Sequence, residues 1–189
     1  MGGVTCKDKR DAYLKQFCSI TGLDLQTLHK RCFPSTWHLL DKGMISFSKA
    51  WNHIKKNIPH LDELPEDFKY AGFEIFEDPQ VIGIVKEVKK THAVGMLSNM
   101  SVLLHDRLKK RKFPFPLFSE TFLSYKIHMR KPELQIYRHV MKKTGLKGNE
   151  ILLIDNRQRN LLPAKKMGWK TIHYKNSTQL KKEIKKFLR

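Results

Sequence analysis

Two rhythms of apolar and polar positions run along this chain. From residue 78 onward, short apolar runs alternate with segments whose apolar residues recur at helical spacing. Asp78-Pro79 reads as an N-cap followed by proline at the first helical position. Val81, Ile82, Ile84, Val85 and Val88 then share one helical face up to about Lys90. Ala93 to Leu97 predicts a buried strand that meets a loop at Ser98-Asn99. A helix over about Val102 to Lys110 follows, and Phe113-Pro114-Phe115-Pro116 cannot be helix interior. Glu120 to Leu123 predicts another strand. Pro132 opens a helix that buries Ile136, Tyr137, Val140 and Met141 and closes at Gly145. Ile151 to Ile154 predicts a parallel-type strand running into Asp155. Leu161, Leu162, Ala164 and Met167 give a short helix ending at Gly168, Thr171 to Tyr174 a last strand, and Leu180, Ile184 and Leu188 a closing helix.

Strands alternating with helices predict a parallel sheet covered on both faces, with ligands at the carboxyl ends of the strands. Residues from about Lys7 to Ala71 differ, with helical periodicity only. Tyr13, Leu14, Phe17 and Cys18 form one stripe, and Phe47, Trp51, Ile54 and Ile58 another, opened by Ser46 as a cap. Turn signals at Gly22, Pro34, Gly43 and Pro59 separate these pieces. The expectation is a small helical bundle placed before the α/β part. After Cys6, the string Lys-Asp-Lys-Arg-Asp does not read as a buried strand.

At 189 residues, with 40% hydrophobic and 29% charged positions, the chain is one domain or one domain with a modest insertion, and it can bury a core. Its apolar runs are far shorter than the roughly 20 residues needed to span a bilayer. The first residues have no signal-peptide core, and Lys7 stands where a myristoylation site at Gly2 needs Ser or Thr. Cys6, Cys18 and Cys32 have no metal-like spacing and fit a reduced compartment, so a cytoplasmic setting is expected. The formal charge of +19 raises the question of nucleic acid. Only 9 of the 37 basic residues are Arg, the side chain suited to bidentate phosphate and base reading. The basic residues are spread along the chain, and no nucleic-acid-binding motif is present. The Lys excess reads as solvated surface with non-specific attraction to polyanions.

The predicted strand ends gather a hydroxyl (Ser98), two amides (Asn99 and Asn156) and a carboxylate (Asp155). Lys131 precedes a helix whose first turn would be Pro132-Glu133, and a helix N-terminus beside a lysine suits an anion such as phosphate. Each residue also has a plainer reading: Ser98-Asn99 as turn residues, Lys131 as a surface lysine, Asp155-Asn156 as an N-cap pair.

Together these strings resemble the haloacid dehalogenase-like (HAD) hydrolase superfamily. Gly95-Met-Leu-Ser-Asn99 is similar to its second motif, Met129-Arg-Lys-Pro-Glu-Leu-Gln-Ile-Tyr137 to its third, and Ile154-Asp-Asn-Arg-Gln-Arg-Asn160 to its fourth, acidic one. By pattern, the chain is similar to sugar-phosphate phosphatases and to the N-terminal domains of bifunctional epoxide hydrolases. The resemblance implies a Rossmann-like α/β core at residues 1–6 and 76–189, with residues 7–75 inserted as a helical C1-type cap. It further implies a phosphatase for a small phosphorylated metabolite, working through an aspartyl-phosphate intermediate. Ser98 and Lys131 would be catalytic, Asn99 with Met1 and Gly2 would bind the phosphoryl group, and Asp155 and Asn156 would hold Mg²⁺.

Two departures from the family's pattern stand out. Met1-Gly2-Gly3-Val4 fits all of an Asp-X-Gly-Gly-Val first motif except its Asp, so the nucleophile and the central strand before it are expected to be missing by truncation. Asn156 stands where the subfamily usually has a second acidic residue, which weakens the metal site. The alternatives are an inactive HAD-fold protein that acts by binding and, ranked below it, a basic nucleic-acid-associated protein. A dehalogenase, which needs no Mg²⁺, ranks lower still. The oligomeric state and the substrate are not legible.

Overall fold

The computed structural model describes residues 3–8, 10–32, 36–58, 61, 68–71 and 73–188. Strand β1 (Cys6–Asp8) leads into helices α1 (Arg10–Thr21), α2 (Leu25–Cys32), α3 (Thr36–Asp41), α4 (Phe47–Asn57) and α5 (Phe68–Ala71). Strand β2 (Ile75–Glu77) returns antiparallel to β1, with Cys6 opposite Glu77. Then come α6 (Pro79–Val88), β3 (Gly95–Ser98), α7 (Val102–Lys110), β4 (Glu120–Leu123), α8 (Ser124–Ile127), α9 (Leu134–Thr144), β5 (Leu152–Asp155), α10 (Gln158–Lys166), β6 (Lys170–His173) and α11 (Ser177–Ile184).

The α/β part contains two parallel pairs. In β3–β4, Ser98 lies opposite Leu123, and in β5–β6, Asp155 lies opposite His173. Among the described residues, β3 pairs only with β4 and β5 only with β6, which leaves each of these strands one open edge. Side-chain alternation along the strands explains how both faces are covered. Leu97, Phe122 and Leu153 pack with Ile136, Tyr137 and Val140 of α9 and Leu161 and Ala164 of α10. Their chain neighbours point the other way. Met96 and Leu123 join Ile82, Val85 and Leu108, while Leu152, Ile154 and Ile172 join Val81, Leu180 and Ile184.

Local chemistry sets the element ends as the sequence predicts at several points. Asp78 accepts from the Gln80 and Val81 amides and caps α6, Ser46 accepts from the Lys49 amide and caps α4, and Gly145 closes α9 at φ +72°. The helical stretch has its own core, in which Leu14 and Phe17 pack with Trp51, Ile54 and Ile58. Its α3–α4 end rests on α7 through Leu40, Ala50 and Phe73 against Leu103 and Leu104. Pro34 and Pro59 lie outside the described residues.

Two expectations change. The string after Cys6 does contain a strand: β1 is short and antiparallel, and Cys6 is fully buried within it. The helix after Lys131 begins at Leu134, not Pro132, because Glu133 is extended and donates its amide to the Arg130 carbonyl in a turn. On α10, Leu162 faces solvent and Asn160 is buried.

Candidate functional site

The carboxyl ends of β3 and β5 meet at one side chain. Lys131 Nζ donates to the Leu97 carbonyl oxygen at 2.8 Å and to Asp155 Oδ2 at 2.6 Å. The side chains of both Lys131 and Asp155 are only 4% exposed. An unpaired charge would be prohibitive at such burial, so the ammonium and carboxylate hold each other there. One cation thereby links the two parallel pairs across their open edges.

Asn99 fixes the backbone of the same lysine. Its Oδ1 accepts from the Lys131 amide and its Nδ2 donates to the Lys131 carbonyl, both at 2.8 Å. These two bonds keep Lys131 in a loop and explain why the next helix starts late. Ser98 is buried beside Asn99, its hydroxyl making, among the described residues, only a long 3.3 Å bond to the Asn99 carbonyl. Ser98, Asn99, Lys131 and Asp155 are thus brought together, and the plainer reading of Lys131 as a surface lysine does not hold.

Asp155 is engaged on both oxygens. Oδ1 accepts from the Arg157 amide at 2.8 Å and from Asn160 Nδ2 at 2.9 Å, while Oδ2 takes the Lys131 ammonium. Burial is the largest influence on its pKa and pushes it up. The Lys131 charge, the Lys131 hydrogen bond and the Arg157 amide together outweigh burial and hold the carboxyl below its ordinary value of 3.8. Behind Asn160, the buried Tyr137 hydroxyl donates to the Asn160 carbonyl at 2.6 Å. Burial, and then the nearby Asp155 charge, push the Tyr137 phenol up, so it stays a donor. The sequence places Asn160 in a motif string but reveals neither its bond to Asp155 nor this role of Tyr137. The available signal was a polar residue four positions before Ala164, on the buried face of a helix.

Asn156 lies beside Gly3. A Cβ on Gly3, whose φ is +83°, would fall 2.2 Å from Asn156 Nδ2. Met1 and Gly2, the other expected phosphoryl-binding positions, lie outside the described residues. For Mg²⁺ the donor set does not fit. Asp155 has already given both oxygens to protein donors, one of them cationic, and Asn156 offers a neutral oxygen. Among the described residues no three His, Cys, Asp or Glu side chains gather to hold a metal ion.

The helical stretch reaches the site through the end of α3. Arg130, next to Lys131, donates from Nη2 to Asp41 Oδ2 at 3.2 Å, and Lys42 Nζ lies 2.8 Å from Glu133 Oε1. The Ser124 hydroxyl donates to the Asp41 carbonyl, and His128 Nδ1 lies 2.8 Å from the Lys42 carbonyl. No described helix is long and apolar enough to cross a membrane.

No protein-family model matches the chain. It is 23% identical over 170 residues to a sesquiterpene phosphatase of Aspergillus oryzae, covering 89% of this chain and 87% of that protein. A predicted HAD-like family hydrolase from Porphyromonas gingivalis superposes with a TM-score of 0.81 at 21% identity, covering 100% of this chain and 94% of the other. A HAD family enzyme of Bacteroides thetaiotaomicron, solved in complex with magnesium and inorganic phosphate, gives a TM-score of 0.75 at 22% identity over 93% of this chain and 91% of its own. The fold is that of the HAD-like superfamily, as the motif strings implied.

Proposed function

We propose that the chain is a HAD-type hydrolase of small phosphorylated molecules, in which Lys131, Ser98 and Asn99 receive the phosphoryl group. The observation that carries this reading is the buried Lys131 ammonium, fixed at the joined ends of β3 and β5. Electrostatic stabilisation of a transferring phosphoryl group needs such a cation, positioned in advance and shielded from water. The Ser98 hydroxyl beside it has little to hold it among protein groups and can turn to a phosphate oxygen. Residues 7–75 serve as a cap that chooses the substrate. The sesquiterpene phosphatase relative supports a phosphate ester of a small apolar alcohol as the first substrate class to try.

Asp155 is not the attacking group, since its oxygens are held by Lys131, Arg157 and Asn160. The nucleophile for an aspartyl-phosphate route is therefore sought outside the described residues. Magnesium, where bound in this family, supplies charge neutralisation at the phosphoryl oxygens; in this reading Lys131 contributes to that work. The engaged Asp155 and the neutral Asn156 favour a second reading, in which the chain binds phosphorylated ligands without turning them over.

The test is to titrate the chain with inorganic phosphate and with a sesquiterpenyl phosphate, and to assay phosphate release in parallel. Release that disappears in Lys131→Ala supports hydrolysis. Binding that needs Lys131 without any release supports the second reading, and absence of binding removes both.

A further inference from the structure

We infer that the Asp41–Arg130 ion pair is a positioning latch, through which the helical stretch sets the placement of the Lys131 ammonium. The inference rests on the reading of Lys131 as the phosphoryl-binding cation and adds to it how that cation is regulated. Four polar contacts join the end of α3 to the segment from Ser124 to Glu133, and they lie on both sides of Lys131 in the chain. Arg130–Asp41 stands immediately before it and Lys42–Glu133 two residues after it, while Ser124 and His128 hold the Asp41 and Lys42 carbonyls. Gly43 closes the same joint. A Cβ there would meet the Tyr125 carbonyl oxygen at 2.7 Å, so the two backbones touch with no side chain between them.

The Arg130 and Asp41 side chains are 7% and 17% exposed, and Arg130 Nε has no hydrogen-bond partner among the described residues. A desolvated pair with an unsatisfied donor is a poor source of stability, because losing water costs both charges about as much as their attraction returns. What it does supply is direction. Arg130 and Lys131 share a peptide unit, and their side chains run to different partners, Asp41 on α3 and Asp155 on β5. A displacement of α3 that pulls on Arg130 therefore turns the backbone from which Lys131 extends. Asn99, which holds that backbone from the β3 side, is the fixed end against which the pull acts.

The experiment reads the ammonium itself. In ¹H–¹⁵N spectra of the lysine ammonium groups, the buried Lys131 signal is assigned by its loss in Lys131→Arg and followed in Asp41→Asn and Arg130→Lys, alone and with inorganic phosphate. Asp41→Asn is expected to shift or broaden the Lys131 signal and to weaken phosphate binding roughly tenfold. Arg130→Lys, which keeps the charge, is expected to lie between it and the wild type. Lys42→Met, which breaks only the more exposed pair on the other side of Lys131, is expected to shift signal and affinity less than Asp41→Asn does. A general loss of structure would lower the melting temperature in all three without this order. An unchanged Lys131 signal in Asp41→Asn overturns the latch, and if that variant does not fold, an unchanged signal in Arg130→Lys does so. Phosphate that fails to move the wild-type signal overturns the phosphoryl-site reading instead, and the latch is then judged on the ligand-free spectra.

Discussion

Asn99 grips Lys131 by both of its backbone polar groups, taking the amide on Oδ1 and giving Nδ2 to the carbonyl. No other residue type of that length supplies one donor and one acceptor in this arrangement. Asn99→Asp turns an acceptor towards the Lys131 carbonyl and should cost about 1–3 kcal/mol, more than the loss in Asn99→Ser. Urea midpoints of the two variants, with phosphate affinity measured alongside, check the order.

Lys131→Met should be the most damaging single change near the site. It leaves the Asp155 carboxylate buried without its cation, at a cost of about 3–5 kcal/mol. Adding Asp155→Asn to Lys131→Met removes the stranded charge and should recover part of the loss. A double-mutant cycle in urea checks this non-additivity.

Asp155 makes stability depend on acid. Its carboxyl titrates lower in the folded chain than the ordinary 3.8, so its contribution is fully present above that value. It is lost as the pH falls through the lower folded value, because there the folded chain must take up the proton. Wild type should therefore weaken as the pH falls below that ordinary value, while Asp155→Asn, less stable at neutral pH, should change less over the same acid range. Urea unfolding as a function of pH measures both slopes.

Asn156→Asp should tighten magnesium binding relative to the wild type, since charge count governs the binding of hard cations. Calorimetric titration with Mg²⁺ and the shift in melting temperature it causes are the measurements. An equal response in wild type would show that the neutral amide suffices.

Much of the frame was legible because each element carried its own punctuation. Asp78-Pro79, Ser46 and Gly145 marked helix ends that the structure keeps, and the run from Glu120 to Leu123 is the strand predicted there. The meeting of Asn99, Lys131 and Asp155 was legible through the motif strings, since Lys131 contacts Asn99 across 32 positions and Asp155 across 24, distances that no local pattern bridges. Pro132 misled because proline suits a first helical turn, whereas here the Asn99 side chain competes for the backbone and wins. The partnership of Asp41 with Arg130 spans 89 positions and has no periodic signature, so it could only be found in three dimensions. The β1 strand escaped notice because charged residues follow its buried cysteine directly.

The lysine bridge between β3 and β5 also bears on how the molecule opens. Rungs of a continuous ladder give way together, but a single side-chain cation transmits little cooperativity between the elements it joins. The β3–β4 and β5–β6 pairs should accordingly behave as separate foldons, coupled through the apolar contact of Leu97 and Phe122 with Leu153. In native-state hydrogen exchange, two free energies of opening are expected where an uninterrupted sheet would show one.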